Sequence, residues 1–90
     1  MKDVGMEFKQ DVYVLTGEIA KRLEEGKYSE VKRRVSLLHP VDVAEIIASL
    51  DVQKQVLLFR LLKKDQAIAV FEQLDFEQQE NLLHHFTDEW

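Results

Sequence analysis

The 90-residue sequence has no cysteine, one proline and three glycines. Without thiols there are no disulfides and no thiolate metal sites, and the composition suits a reducing cytosolic setting. Three glycines are too few for a phosphate-cradling loop, and no serine, threonine or lysine sits in a recognisable nucleophile motif. No catalytic, cofactor-binding or metal residue is therefore assigned, and the chain does not read as an enzyme. The longest apolar runs, such as Val56-Leu57-Leu58-Phe59, fall far short of the roughly 20 residues that cross a bilayer. Met1-Lys2-Asp3 to Glu7-Phe8-Lys9 carries mixed charge, unlike the basic stretch and apolar core of a secretory signal. Bases are missing from the last quarter: Lys64 is followed by Asp65, Glu72, Asp75, Glu77, Glu80, Asp88 and Glu89, within a net charge of −5. Such a surface repels nucleic acid and attracts cations or basic partners.

What the chain does have is a repeat. Residues 39–62 and 63–86 superpose at an offset of 24, matching Leu50-Asp51 to Leu74-Asp75, Gln55 to Gln79, Leu58 to Leu82, Phe59 to Leu83 and Leu62 to Phe86. Each unit reads as a helical hairpin, which cannot bury its apolar face alone and is stable only when stacked on neighbours. No alternating run signals a strand, so the fold class is all-α, with about six helices in a single helical-repeat domain over residues 1–90. Residues 1–28 form a leading amphipathic helix with the stripe Phe8, Val12, Leu15, Ile19 and Leu23, ended by Gly26. Ser29 is the expected cap of the second helix, whose apolar positions are Val31, Val35 and Leu38. His39-Pro40-Val41-Asp42 opens the third, with Val43, Ile46, Ile47 and Leu50 inside, and His39 in a capping or staple role. Asp51 and Asp75 cap the fourth and sixth, the second with Gln78 in a capping box. Asp65 begins the fifth, which carries Ile68, Phe71 and Leu74.

The repeat further predicts that Phe59 and Leu83 both lie in the core between hairpins, that His84 is exposed like Arg60, and that His85 is half-buried like Leu61. Thr87-Asp88-Glu89-Trp90 reads as a cap and the first turn of another helix, so that the chain is expected to be part of a longer protein. The hairpin of residues 63–86 should then have an uncovered apolar edge near Phe71, Phe86 and Trp90, through which the chain would self-associate or fray. Glu18/Arg22 and Glu30/Arg34 stand at the i, i+4 spacing that supports a helix. Glu80, His84 and Asp88 share one helical face, but the repeat sets His84 at a solvent position, so they are not read as a metal site.

From Leu38-His39-Pro40-Val41-Asp42-Val43-Ala44-Glu45-Ile46-Ile47, through Val56-Leu57-Leu58-Phe59-Arg60-Leu61-Leu62, to Ala67-Ile68-Ala69-Val70-Phe71-Glu72-Gln73-Leu74-Asp75, the sequence resembles the N-terminal cytosolic domain of MgtE-type magnesium transporters. The resemblance covers about residues 29–90. It implies a right-handed superhelix of short helical hairpins, on the cytoplasmic side of the cell membrane, regulating a dimeric pore. It also implies Mg²⁺ held at an interface between acidic faces of this domain and the CBS domains of the same protein, favouring the closed pore. Tight Mg²⁺ binding by these residues alone is not expected. Ala69 stands where the family often has a glutamate, and Lys63 where a proline is common. The other reading is a protein–protein scaffold like the middle domain of flagellar motor switch proteins, whose architecture is similar.

Overall fold

The computed structural model describes the backbone of residues 3–89 and the side chains of residues 12–86. Six helices follow one another: α1 (Asp3–Glu24), α2 (Tyr28–Val35), α3 (Pro40–Ala48), α4 (Val52–Leu61), α5 (Lys64–Gln73) and α6 (Phe76–Glu89). Among the described residues there is no strand. The expected all-α fold of six helices is thus the fold observed.

Each boundary has a local cause. Gly26, at φ +77°, ends α1 in a left-handed conformation that favours glycine. The Gly26 N–H donates to Leu23 O at 3.2 Å and the Lys27 N–H to Arg22 O at 2.9 Å, the paired bonds of a Schellman stop. Pro40 starts α3, where its missing N–H costs no helical bond. Asp51 caps α4 by accepting from the Lys54 N–H at 2.9 Å. At α6, the Gln78 N–H donates to Asp75 Oδ1 at 2.8 Å and the Asp75 N–H to Gln78 Oε1 at 3.4 Å, the expected reciprocal box. Two caps differ from expectation. Lys27, not Ser29, holds the N-cap position of α2, because the Schellman turn delivers the chain directly into the helix one residue later. His39 occupies the N-cap of α3 but makes no side-chain capping bond.

The N-cap positions 27, 39, 51, 63 and 75 are twelve residues apart, so the structural unit is a single helix with its link, half the sequence repeat. The seventh residue after each cap from α3 onward, Ile46, Leu58, Val70 and Leu82, is at most 1% exposed. Leu50, Leu62 and Leu74 close their units and are also buried. Helices pack on their second neighbours, α1 on α3, α3 on α5, α2 on α4 and α4 on α6, giving an odd and an even layer with the core between them. On α1, Val12, Leu15, Ile19 and Leu23 face this core, as the stripe predicted, and the side chain of Phe8 lies outside the described residues.

Glutamines bind the layers where helices end. The buried Gln55 amide of α4 donates to Ile47 O and Leu50 O, both at 2.9 Å. Its repeat partner Gln79 donates to Phe71 O at 2.7 Å, and Gln66 of α5 reaches Val35 O of α2 at 2.7 Å. These bonds add a second donor to helix-end carbonyls, Val35 O, Ile47 O and Phe71 O, that already accept from the backbone N–H three residues on.

The repeat misleads at its far end. Phe59 is half-buried against the rings of Phe71 (6.2 Å between centroids) and Phe86 (5.6 Å), but its equivalent Leu83 is exposed. Ile68, expected on the apolar face of α5, is exposed as well, and Val70 is the buried residue there. The cause is the same for both: among the described residues α5 and α6 pack over Phe59 and their junction faces Ala44, the equivalent of Ile68, whereas Ile68 and Leu83 remain 52% and 54% exposed. His85 is exposed, not half-buried, for that reason too, and His84 is exposed as expected. Thr87, Asp88 and Glu89 do not open a new helix. With no glycine or proline after Phe76 to stop it, α6 runs on through Glu89. Trp90 lies outside the described residues.

Two measurements check this arrangement. In urea melts Phe59→Ala should cost about 3–5 kcal/mol and Leu83→Ala less than about 1, although the two residues are equivalent in sequence; equal costs would mean the open end is misplaced. Gln55→Leu, which removes the donor shared by two carbonyls, should cost about 1–3 kcal/mol and the same change at the half-buried Gln79 less.

Candidate functional site

Two ionic constructions and one acidic surface stand out. The first joins α1 to α2. Arg22 Nε donates to Glu30 Oε1 at 2.9 Å and Arg34 Nη2 to Glu18 Oε1 at 2.6 Å. The expected i, i+4 pairs have exchanged partners, because α2 packs beside α1 and brings each arginine to the other helix's glutamate. In the second, Lys54 Nζ of α4 bridges Asp51 (3.0 Å) and Glu24 of α1 (3.1 Å). That bridge was not visible in the sequence, since Glu24 and Lys54 meet only through the packing of α1 on α4.

These contacts hold the partners in their charged forms. The Arg22 guanidinium bonded to Glu30 lowers its carboxyl below the ordinary value of 4.5. The Lys54 N–H, and then its ammonium, lower Asp51 below 3.8, and Asp51 followed by Glu24 raises Lys54 above 10.5. All three are stabilising devices at the helix seams. Among the described residues, none of the three lines the depressions beside α1 and α3, on α6, or between α3 and the α5–α6 junction.

The acidic surface lies on α5 and α6. Asp65, Glu72, Asp75, Glu77 and Glu80 are all exposed, and none is in an ion pair among the described residues. Glu80 and His84 border a shallow, open depression with Asn81 and Leu83, while the side chain of Asp88 lies outside the described residues. His85 Nδ1 is 2.9 Å from Asn81 O in its own helix. Among the described residues no group of three His, Cys, Asp or Glu side chains is arranged to hold a metal. Ala69 is half-buried on α5 and Lys63 is the exposed N-cap of that helix, so neither departure from the family pattern adds a carboxylate. Among the described residues no helix is long and apolar enough to cross a membrane.

Short helices at a fixed twelve-residue step, in two layers, with charge displayed on outer faces, define a helical-repeat domain. The chain belongs to the MgtE intracellular N domain family, which matches residues 38–90 and thus all of α3 to α6. That family is the cytosolic domain of magnesium transporters, a transport family and not an enzyme family. No curated protein and no solved structure matches the chain.

The seams predict a pH profile. Glu30 and Asp51 stabilise the fold fully above their ordinary values of 4.5 and 3.8, and their contribution is lost as pH falls through the lower folded values. Lys54 has the opposite sign, contributing fully below 10.5 and losing it as pH rises through its raised folded value. Melting temperature against pH should therefore fall less steeply below pH 4.5 for Glu30→Gln with Asp51→Asn, and less steeply above pH 10.5 for Lys54→Met. Profiles parallel to the parent protein would show that these contacts do not form in solution.

Proposed function

We propose that this chain regulates a magnesium transporter from the cytoplasmic side, taking part in Mg²⁺-dependent gating through an acidic interface with CBS domains of the same protein, within a homodimer. The observation that carries the reading is the family match over α3 to α6, the elements that bear the unpaired carboxylates. Mg²⁺ prefers oxygen ligands, keeps several waters, and is held by one or two carboxylates from each side of an interface. Glu72, Glu77 and Glu80 fit such sharing: they are exposed and, among the described residues, form no group of three that could hold a metal. Two acidic faces repel until a cation lies between them. Mg²⁺ then favours the docked state by its differential affinity for it, and scarcity releases the domains.

Calorimetry on the 90-residue chain should show Mg²⁺ binding no tighter than millimolar. Titration with the CBS module of an MgtE-type transporter should show association that strengthens with Mg²⁺ and vanishes in EDTA. Glu72→Gln, Glu77→Gln and Glu80→Gln together should remove most of that dependence. A tight site in the chain alone, or association indifferent to EDTA, would overturn the reading. The scaffold reading is favoured by a different observation, the exposed apolar side chains Ile68 on α5 and Leu83 on α6.

A further inference from the structure

The chain carries 17 acids against 12 bases, yet two of its segments, residues 31–41 and 52–64, hold bases and no acid. The fold brings their ends together. The Gln66 amide, in the first turn of α5, donates to Val35 O at the end of α2 at 2.7 Å, a bond across 31 residues that sets the start of α5 against the end of α2. Lys32 and Arg33 of α2 therefore share one edge of the molecule with Lys63 and Lys64 of α5, and all four are exposed. Val31 and Val35 turn inward, which sets Arg33 on the opposite face of α2. Because α2 packs on both α1 and α4, this edge runs along the side of the stack from α2 to α5 and not across an end of it.

The bases around this edge are already engaged. Arg22 is held by Glu30, Arg34 by Glu18, Lys27 by Glu25, and Lys54 by Asp51 and Glu24, whereas Lys32, Arg33, Lys63 and Lys64 are in no ion pair among the described residues. The acids nearest to them in sequence, Asp42 and Asp65, stand in the first turns of α3 and α5, where each complements the positive end of its own helix. Glu72 is more than two turns along α5 from Lys64, roughly 12 Å, and so beyond the Debye length of about 10 Å. Beside the four bases stands one apolar side chain: Leu37, in the link from α2 to α3, is 84% exposed.

From this charge pattern and the exposed leucine we infer that the edge formed by the end of α2 and the start of α5 docks on an anionic lipid surface, with the four bases at the headgroups and Leu37 entering the interface between headgroups and acyl chains. Each lysine or arginine beside a negatively charged leaflet strengthens binding about 5-fold, and an apolar side chain at that depth adds to it. Nucleic acid or a soluble anion would use the bases but leave Leu37 in water. Docking on lipid shares with the proposed regulation only its setting beside a membrane. Mg²⁺ plays no part in it and the test contains EDTA, so the two readings fail separately.

The probes are vesicles of phosphatidylcholine, with or without a third of phosphatidylglycerol, sedimented with the 90-residue chain in low salt and EDTA. Binding should be half-complete at anionic lipid on the order of 1 mM, absent from phosphatidylcholine alone, and weaker as salt rises. Lys32→Gln with Arg33→Gln, or Lys63→Gln with Lys64→Gln, should each weaken it at least about 10-fold and Leu37→Ser at least about 3-fold. Helical circular dichroism should stay unchanged, since all five side chains are exposed. Lys21→Gln with Lys27→Gln, which removes the same charge from the junction of α1 and α2, should alter binding less than about 2-fold. Equal losses from this control and the edge variants, no effect of Leu37→Ser, or no binding at anionic lipid on the order of 10 mM would each overturn the inference. Release by inorganic phosphate beyond that caused by chloride at equal ionic strength would assign the edge to a free anion, and tighter binding to polyglutamate than to the vesicles would assign it to an acidic protein; either result overturns it as well.

Discussion

Everything in this fold hangs on one buried side chain every twelve residues. A nine- or ten-residue helix is about 15 Å long, and a link of two or three residues turns the chain into the next one. Helix plus link therefore returns the seventh residue after each cap to the plane between the layers, where Ile46, Leu58, Val70 and Leu82 meet. Burying a side chain of this size contributes about 1.5–3 kcal/mol, and a domain of this size has only about 5–15 kcal/mol in total. A link longer or shorter by one residue would rotate a helix by about 100° and carry that side chain out of the core. The caps at Asp51 and Asp75, the stop at Gly26 and the proline at 40 serve this register, because each fixes where a helix begins or ends.

The apolar positions were legible because they follow from helix periodicity within each element. The stripe on α1 and the interiors of α2 and α3 are where the spacing put them. The twelve-residue step was harder to see than the 24-residue repeat for a physical reason. From α3 to α6 the fourth residue after each cap reads Val43, Gln55, Ala67 and Gln79. The even-layer helices place glutamine there to meet the carbonyl ends of α3 and α5, whereas the odd-layer helices place a small apolar residue. Chemistry thus alternates between layers and doubles the period of the sequence, while the backbone keeps the shorter one.

Charge pairing was only half legible. Glu18, Arg22, Glu30 and Arg34 were the right four residues, but local spacing could not show that the partners are exchanged across α1 and α2. An i, i+4 pair costs no loop closure, yet once two helices lie side by side an interhelical pair is just as near and fixes their register as well. Lys54 shows the limit of local spacing. Its capping partner Asp51 is three residues away and predictable, and its second partner Glu24 is thirty residues away and visible only in the folded chain.

The same limit governs the candidate surface. A repeat assigns residue types to positions, but burial belongs to a position only if something lies over it, and Phe59 and Leu83 have the first in common without the second. The substitutions between units therefore carry more information than the matches. Val41 and Ala48 border a groove facing the α5–α6 junction and Val56 is buried in the core, and in the next unit the same three positions are carboxylates. Among the described residues these acids are in no ion pair with α5 or α6. Exposed, and among the described residues in no group of three that could hold a metal, they suit the sharing of a cation across the proposed acidic interface. The second hairpin thus packs into the core through Val70, Leu74 and Leu82 while its carboxylates stay at the exposed surface.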